Sequence, residues 1–79
     1  MTLDQLPPRR RAEILAIDWS ALAPDEAKRL RSLGVDEGAR VAIAYRGVFG
    51  GHDPIAIMIG RMTLALRRSH AAAMTVREL

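Results

Sequence analysis

The sequence predicts a mainly β domain, a small antiparallel barrel of about five short strands with one short α-helix between the first two. Three observations carry this. Apolar residues alternate with polar ones in short runs bounded by glycine or proline. Only residues 23–33 carry both helix start and helix stop signals. The later connections are too short for the crossovers that a parallel sheet requires. With 79 residues the chain reads as one domain over 1–79, since a chain this short buries only about 60% of the surface its unfolded form exposes.

The first strand is "RAEILAIDW", Arg11 to Trp19, apolar on both alternating sets and so predicted to be buried on much of both faces. "APDEAKRLRSLGV" follows as the helix. Pro24 suits the first turn, Asp25 and Glu26 complement the positive helix end, and Lys28, Arg29 and Arg31 complement the negative end. Ala27, Leu30 and Leu33 make the packing stripe. Gly34 is placed to adopt the left-handed C′ conformation, with Val35 folding back as its apolar contact. After the turn "DEG", "RVAIAYRG" sets Val41, Ile43 and Tyr45 against Arg40, Ala42, Ala44 and Arg46, a half-buried strand. "PIAIMI" and "RMTLALR" flank Gly60 as a hairpin. "RSHAAA" allows a single helical turn, and "MTVREL" ends as a strand with Met74 and Val76 inward.

Composition narrows the function. There is no cysteine, so neither disulfides nor thiolate metal ligands can supplement the core. The start lacks a signal-peptide pattern, and the longest apolar run, Ile55 to Ile59, is far short of the roughly 20 residues that span a bilayer. These features predict a soluble cytoplasmic protein. The net charge is +3 and arginine supplies nearly all the cations. Acids are spread among them, and Trp19, Tyr45 and Phe49 are the aromatics, so no basic stripe with interleaved stacking groups emerges. The arginines read as a solvated surface.

"RGVFGGHDPIAIMIG", residues 46–60, is the stretch that most invites a chemical reading. It lacks the lysine and following helix of a phosphate-binding loop, so its glycines read as a bend. His52 and Asp53 with His70 could form a three-ligand nitrogen and oxygen metal site only if the fold gathered them, and the spacing matches no HxH or HxxxH pattern. A nucleophilic enzyme would need Ser20, Ser32 or Ser69 with a histidine base. Ser69 and His70 are adjacent and diverge. No catalytic role and no cofactor are assigned. Phe49, outside the strand alternation, is either an exposed binding anchor or a lid on one end of the barrel.

The order of "RLRSLGVDEGARVAIAYRGVFGGHDPIAIMIGRMTLALRRSHAAAMTV" closely resembles the core of the ferrous-iron transport protein A (FeoA) family. The matching features are Leu33-Gly34, Gly38, the loop Phe49 to Pro54, the strand Ile55 to Ile59, Gly60, and Leu64-Ala65-Leu66-Arg67 followed by Ala71. The opening "LDQLPPRRRAEILAI" is similar as well. Arg9 stands where the family usually has glycine, Val48 where proline is common, and "GGHD" is longer than the commoner "GDP". The resemblance implies an SH3-like barrel in the bacterial cytoplasm. It also implies an adaptor or regulator of the FeoB-type membrane ferrous-iron transporter, acting on the transporter's cytosolic G domain and peripheral to the inner membrane through that partner. The expected partner-binding residues are Phe49 as anchor, Arg46 and Asp53 for loop polarity, and Leu30 and Leu33 on the helix. The alternatives are a small basic nucleic-acid-binding module and a direct Fe²⁺ sensor using His52, Asp53 and His70.

Overall fold

The computed structural model describes residues 1–46 and 53–79. In chain order these form a 3₁₀ turn at Leu3–Gln5, β1 (Arg11–Ile17), a second 3₁₀ turn at Trp19–Ala21, α1 (Pro24–Ser32), β2 (Arg40–Arg46), β3 (Ile55–Ile59), β4 (Met62–Leu66), α2 (Arg68–Ala71) and β5 (Met74–Glu78). The strands make one sheet in the order β4-β3-β2-β1-β5, and each neighbouring pair is antiparallel. Ile14, Ile43, Ile57, Leu66 and Met74, one from each strand, belong to the same core. A single sheet whose strands all feed one core wraps around it, and the result is the expected SH3-like barrel. No polar or charged residue is buried among the described residues.

The first strand departs from its expected form. Alternation predicts a strand to Trp19 buried on both faces, whereas β1 ends at Ile17 and buries Ala12, Ile14 and Ile17, leaving Leu15 49% exposed. The cause is a register shift against β5 between Ile14 and Ala16. A bulge adds one residue, so Ile14 and Ile17 face the same side despite their odd separation. Trp19 leaves the sheet on the second 3₁₀ turn. There its indole Nε1–H donates to Glu37 Oε2 (3.3 Å) and the Arg31 guanidinium lies 4.1 Å from its ring centroid. An amphipathic ring with a donor is accommodated better there than inside an apolar core.

The helix follows its sequence signals closely. Pro24 occupies the first turn of α1, where its missing N–H goes unmissed. At the other end Gly34 has φ +94, its N–H donates to Arg31 O (3.0 Å), and the Val35 N–H donates to Leu30 O (2.9 Å). This pair of bonds is the Schellman closure, and its apolar partners Leu30 and Val35 are both fully buried. The β3–β4 hairpin is equally legible. Ile59 pairs with Met62 across Gly60-Arg61, with Gly60 at φ +60.

Apolar residues outside the periodic runs also enter the core. Leu3 and Leu6 on and after the first 3₁₀ turn are 0% exposed. This N-terminal segment also covers the outer edge of β5, through a Thr2–Thr75 bridge and a Val76 N–H to Met1 O bond of 2.8 Å. Arg9, at φ +67, is the non-glycine residue with positive φ among those described. It stands where the resemblance leads one to expect glycine, and the backbone conformation explains that preference.

Opposite substitutions at two of the left-handed positions, Gly34 and Arg9, give opposite outcomes. Gly34→Ala leaves its new Cβ an ordinary 3.8 Å from Ile59 Cδ1, so its cost is conformational, about 1–2 kcal/mol in a urea melt. Arg9→Gly removes that strain and adds the chain entropy of glycine, for a net stabilisation of up to about 1 kcal/mol.

Candidate functional site

The loop chosen from the sequence joins β2 to β3. Phe49 and His52 lie outside the described residues. At its base, Arg46 is the last residue of β2 and is in register with Ile55, the first of β3. The Asp53–Pro54 peptide is cis. Asp53 Oδ1 accepts the backbone N–H of Arg68 at 2.9 Å. Arg68 is the first residue of α2, and its own N-cap, Arg67, supplies no side-chain bond. Asp53 therefore caps a helix that follows it by fifteen positions. This contact joins the exit of the β2–β3 loop to the element that carries half-buried His70. Asp53 and His70 thus sit on connected segments, but no three His, Asp or Glu side chains among the described residues are grouped to hold a metal ion.

On α1 the two leucines differ. Leu30 is 0% exposed and Leu33 is half-buried. The expectation that Leu30 contacts a partner is corrected by its position in the Schellman closure, which directs it into the core. Leu33, at the C-cap, keeps some accessible surface. Two of the three serines considered as nucleophiles are committed locally, since Ser20 Oγ donates to Asp18 Oδ1 (2.5 Å) and Ser32 Oγ donates to Arg29 O (2.7 Å).

A second feature joins residues far apart in sequence. In the register of β1, β2 and β3, Arg11 pairs with Ala42 and Ala42 with Met58. The short Ala42 side chain between two long ones leaves a hollow on the outer face, and Arg40, two residues earlier on β2, lies on the same side. Together with Arg9 and Arg10 from the approach to β1, these residues line an open groove of about 640 Å³.

The model of the FeoA domain family matches residues 1–78. The chain belongs to the FeoA family. A solved FeoA protein of Chlorobium tepidum is 32% identical, covered over 100% of this chain and 70% of its own, with a TM-score of 0.85. The Stenotrophomonas maltophilia FeoA, solved with zinc, is 33% identical over 98% of this chain and 89% of that one, with a TM-score of 0.76. It is described as a procaryotic SH3 domain protein and a candidate activating factor of bacterial ferrous iron transport. An iron(II) transport protein A of Clostridium thermocellum shares the fold at 24% identity and a TM-score of 0.83, and this chain spans 46% of its length. No curated protein matches the sequence.

In this FeoA chain the groove was the feature that sequence reading missed. Arg9, Arg10 and Arg11 look like an ordinary solvated cluster, and Arg40 lies well beyond the helix. The signal that could have found it is antiparallel pairing that sets Arg11 beside a small residue, Ala42. Asp53 gives a direct test of how the loop exit is held. Asp53→Ala removes the acceptor from the Arg68 N–H and lowers stability by about 1 kcal/mol, or roughly 4–8 °C in the thermal midpoint. Asp53→Asn retains a side-chain oxygen and recovers most of that loss.

Proposed function

We propose that this FeoA-family chain is a cytosolic, non-enzymatic accessory protein of bacterial ferrous-iron uptake. It docks on the cytosolic G-domain region of a FeoB-type membrane transporter and modulates transport. The observation that carries the reading is the family match over residues 1–78. The related Stenotrophomonas protein, described as a candidate transport activating factor, supports it. The fold is consistent with a docking role. The described interior is apolar and fully committed to packing, and no helix among the described residues is long and apolar enough to cross a membrane.

In this reading Phe49 is the anchor of the β2–β3 loop, with Arg46 at the entry to the loop and Asp53 at its exit. Asp53 contributes by holding the loop exit against α2 while its exposed carboxyl group remains at the surface. Leu33 offers an accessory contact from α1. Leu30 takes no direct part, because it is buried.

Phe49→Ala tests the anchor. Binding to the transporter's purified cytosolic domain weakens by about 2 kcal/mol, as for a central interface aromatic, while the thermal midpoint stays nearly unchanged. A midpoint lower by several degrees would instead assign Phe49 to the core.

A further inference from the structure

The arginine groove carries charge that the fold does not use. Among the described residues the ion pairs within the protein are Arg10 with Glu78 (2.9 Å), Arg29 with Glu26 (2.6 Å) and Arg77 with Glu13 (2.7 Å). Arg9, Arg11 and Arg40 are in none of them. Glu13 is the cross-strand partner of Arg40, yet its carboxylate goes to Arg77 on the opposite neighbour, β5. Arg9, Arg11 and Arg40 therefore line one hollow without an ion pair to a side-chain carboxylate among the described residues.

The backbone fixes where these charges stand. The Arg9 N–H donates to Ile43 O at 3.0 Å, which ties the approach segment to β2 despite the left-handed conformation of Arg9. Arg11 and Arg40 are on paired strands, so their spacing is set by the sheet register. Between them the floor is apolar. Ala42 is half-buried, and Met58 is 46% exposed, although the residues on either side of it in β3 are buried or half-buried. An exposed thioether adapts its shape to an apolar side chain, and guanidinium groups bind carboxylates through paired donors.

We propose that this groove binds an extended acidic peptide segment of a partner protein, with carboxylates on the arginines and an aliphatic side chain between them on Ala42 and Met58. Charge complementarity and the apolar floor together favour this occupant. A nucleic acid would be served by aromatic stacking groups, and no aromatic residue among those described lines the groove. The inference does not depend on the transporter reading, since it concerns the opposite end of β2 from the β2–β3 loop and any partner with this chemistry satisfies it.

The test uses the full chain and a fluorescein-labelled peptide alternating glutamate and leucine, followed by anisotropy at low salt. Saturable binding is expected, weakening as salt is raised, with amide shifts in a labelled sample concentrated at Arg11, Ala42 and Met58. Arg11→Gln/Arg40→Gln weakens it about tenfold or more. Met58→Ser weakens it several-fold with the charges intact. Both sites are exposed, and an unchanged thermal midpoint confirms that the variants are folded. Absence of binding at low salt overturns the proposal. So does equal binding of the peptide with glutamine in place of glutamate, or insensitivity to Met58→Ser. Equal or tighter arginine-dependent binding of single-stranded oligothymidine or of phosphatidylglycerol vesicles also overturns it, and would reassign the groove to a nucleic acid or a lipid surface.

Discussion

β1 is held between β2 on one side and β5 on the other, with Ala12, Ile14 and Ile17 turned inward, and the rest of the structure depends on that placement. A chain with no cysteine and so little volume has no cross-link to fall back on. It reaches a sufficient core only if every strand delivers its apolar residues to one interior. The bulge between Ile14 and Ala16 accomplishes this for β1, by aligning Ile14 with Ile17 and turning the intervening residues outward. A similar shift between Ile43 and Tyr45 adjusts β2 against β3. With the sheet wrapped, Leu30 and Val35 fill it from the helix end, and Leu3 and Leu6 from the N-terminal turn.

The same strand pairing sets the outer surface. Because β1 must face β2 in the register that buries Ala12 and Val41, Arg11 necessarily lies beside Ala42, and Met58 follows across β3. The interior uses one alternating set of side chains and the other set becomes a groove bordered by arginines. At the opposite end of β2 the chain leaves the sheet into the loop that contains Phe49 and returns at Asp53, where a hydrogen bond to Arg68 links the loop exit to α2. The groove and the β2–β3 loop, the two elements proposed for interaction, thus stand at opposite ends of one strand. Exposed ion pairs such as Arg10–Glu78 add little stability of their own, which leaves the barrel to packing.

Local signals made much of this legible in the sequence. Leu33-Gly34-Val35 after a basic helix end specified the Schellman closure, because only glycine takes that φ without strain. Gly60 between two alternating runs specified the hairpin in the same way. The bulges were not legible, since they arise from two partners competing for the register of one strand and leave no mark on its composition. Alternation alone therefore predicts β1 too long and buried on both faces. Leu3 and Leu6 escaped notice because a single short turn has no periodicity. On the functional side, Asp53 was legible as a polar residue of the loop but not as a cap for α2, and Leu30 was legible as part of the packing stripe, whose burial leaves it no surface for a partner. The groove was invisible because its arginines meet only through pairing between distant segments. The order and spacing of motifs from Leu33-Gly34 to Ala71 pointed to the FeoA family, which residue-by-residue chemistry alone did not reach.

Urea unfolding of two single variants of β1 tests the central claim most directly. Ile17→Ala removes a side chain that the bulge has turned inward, and about 2–5 kcal/mol is expected to be lost. Leu15→Ala trims a side chain that is 49% exposed, and a loss below about 1 kcal/mol is expected. Equal losses, or the larger loss at Leu15, would contradict the bulged register on which the core depends.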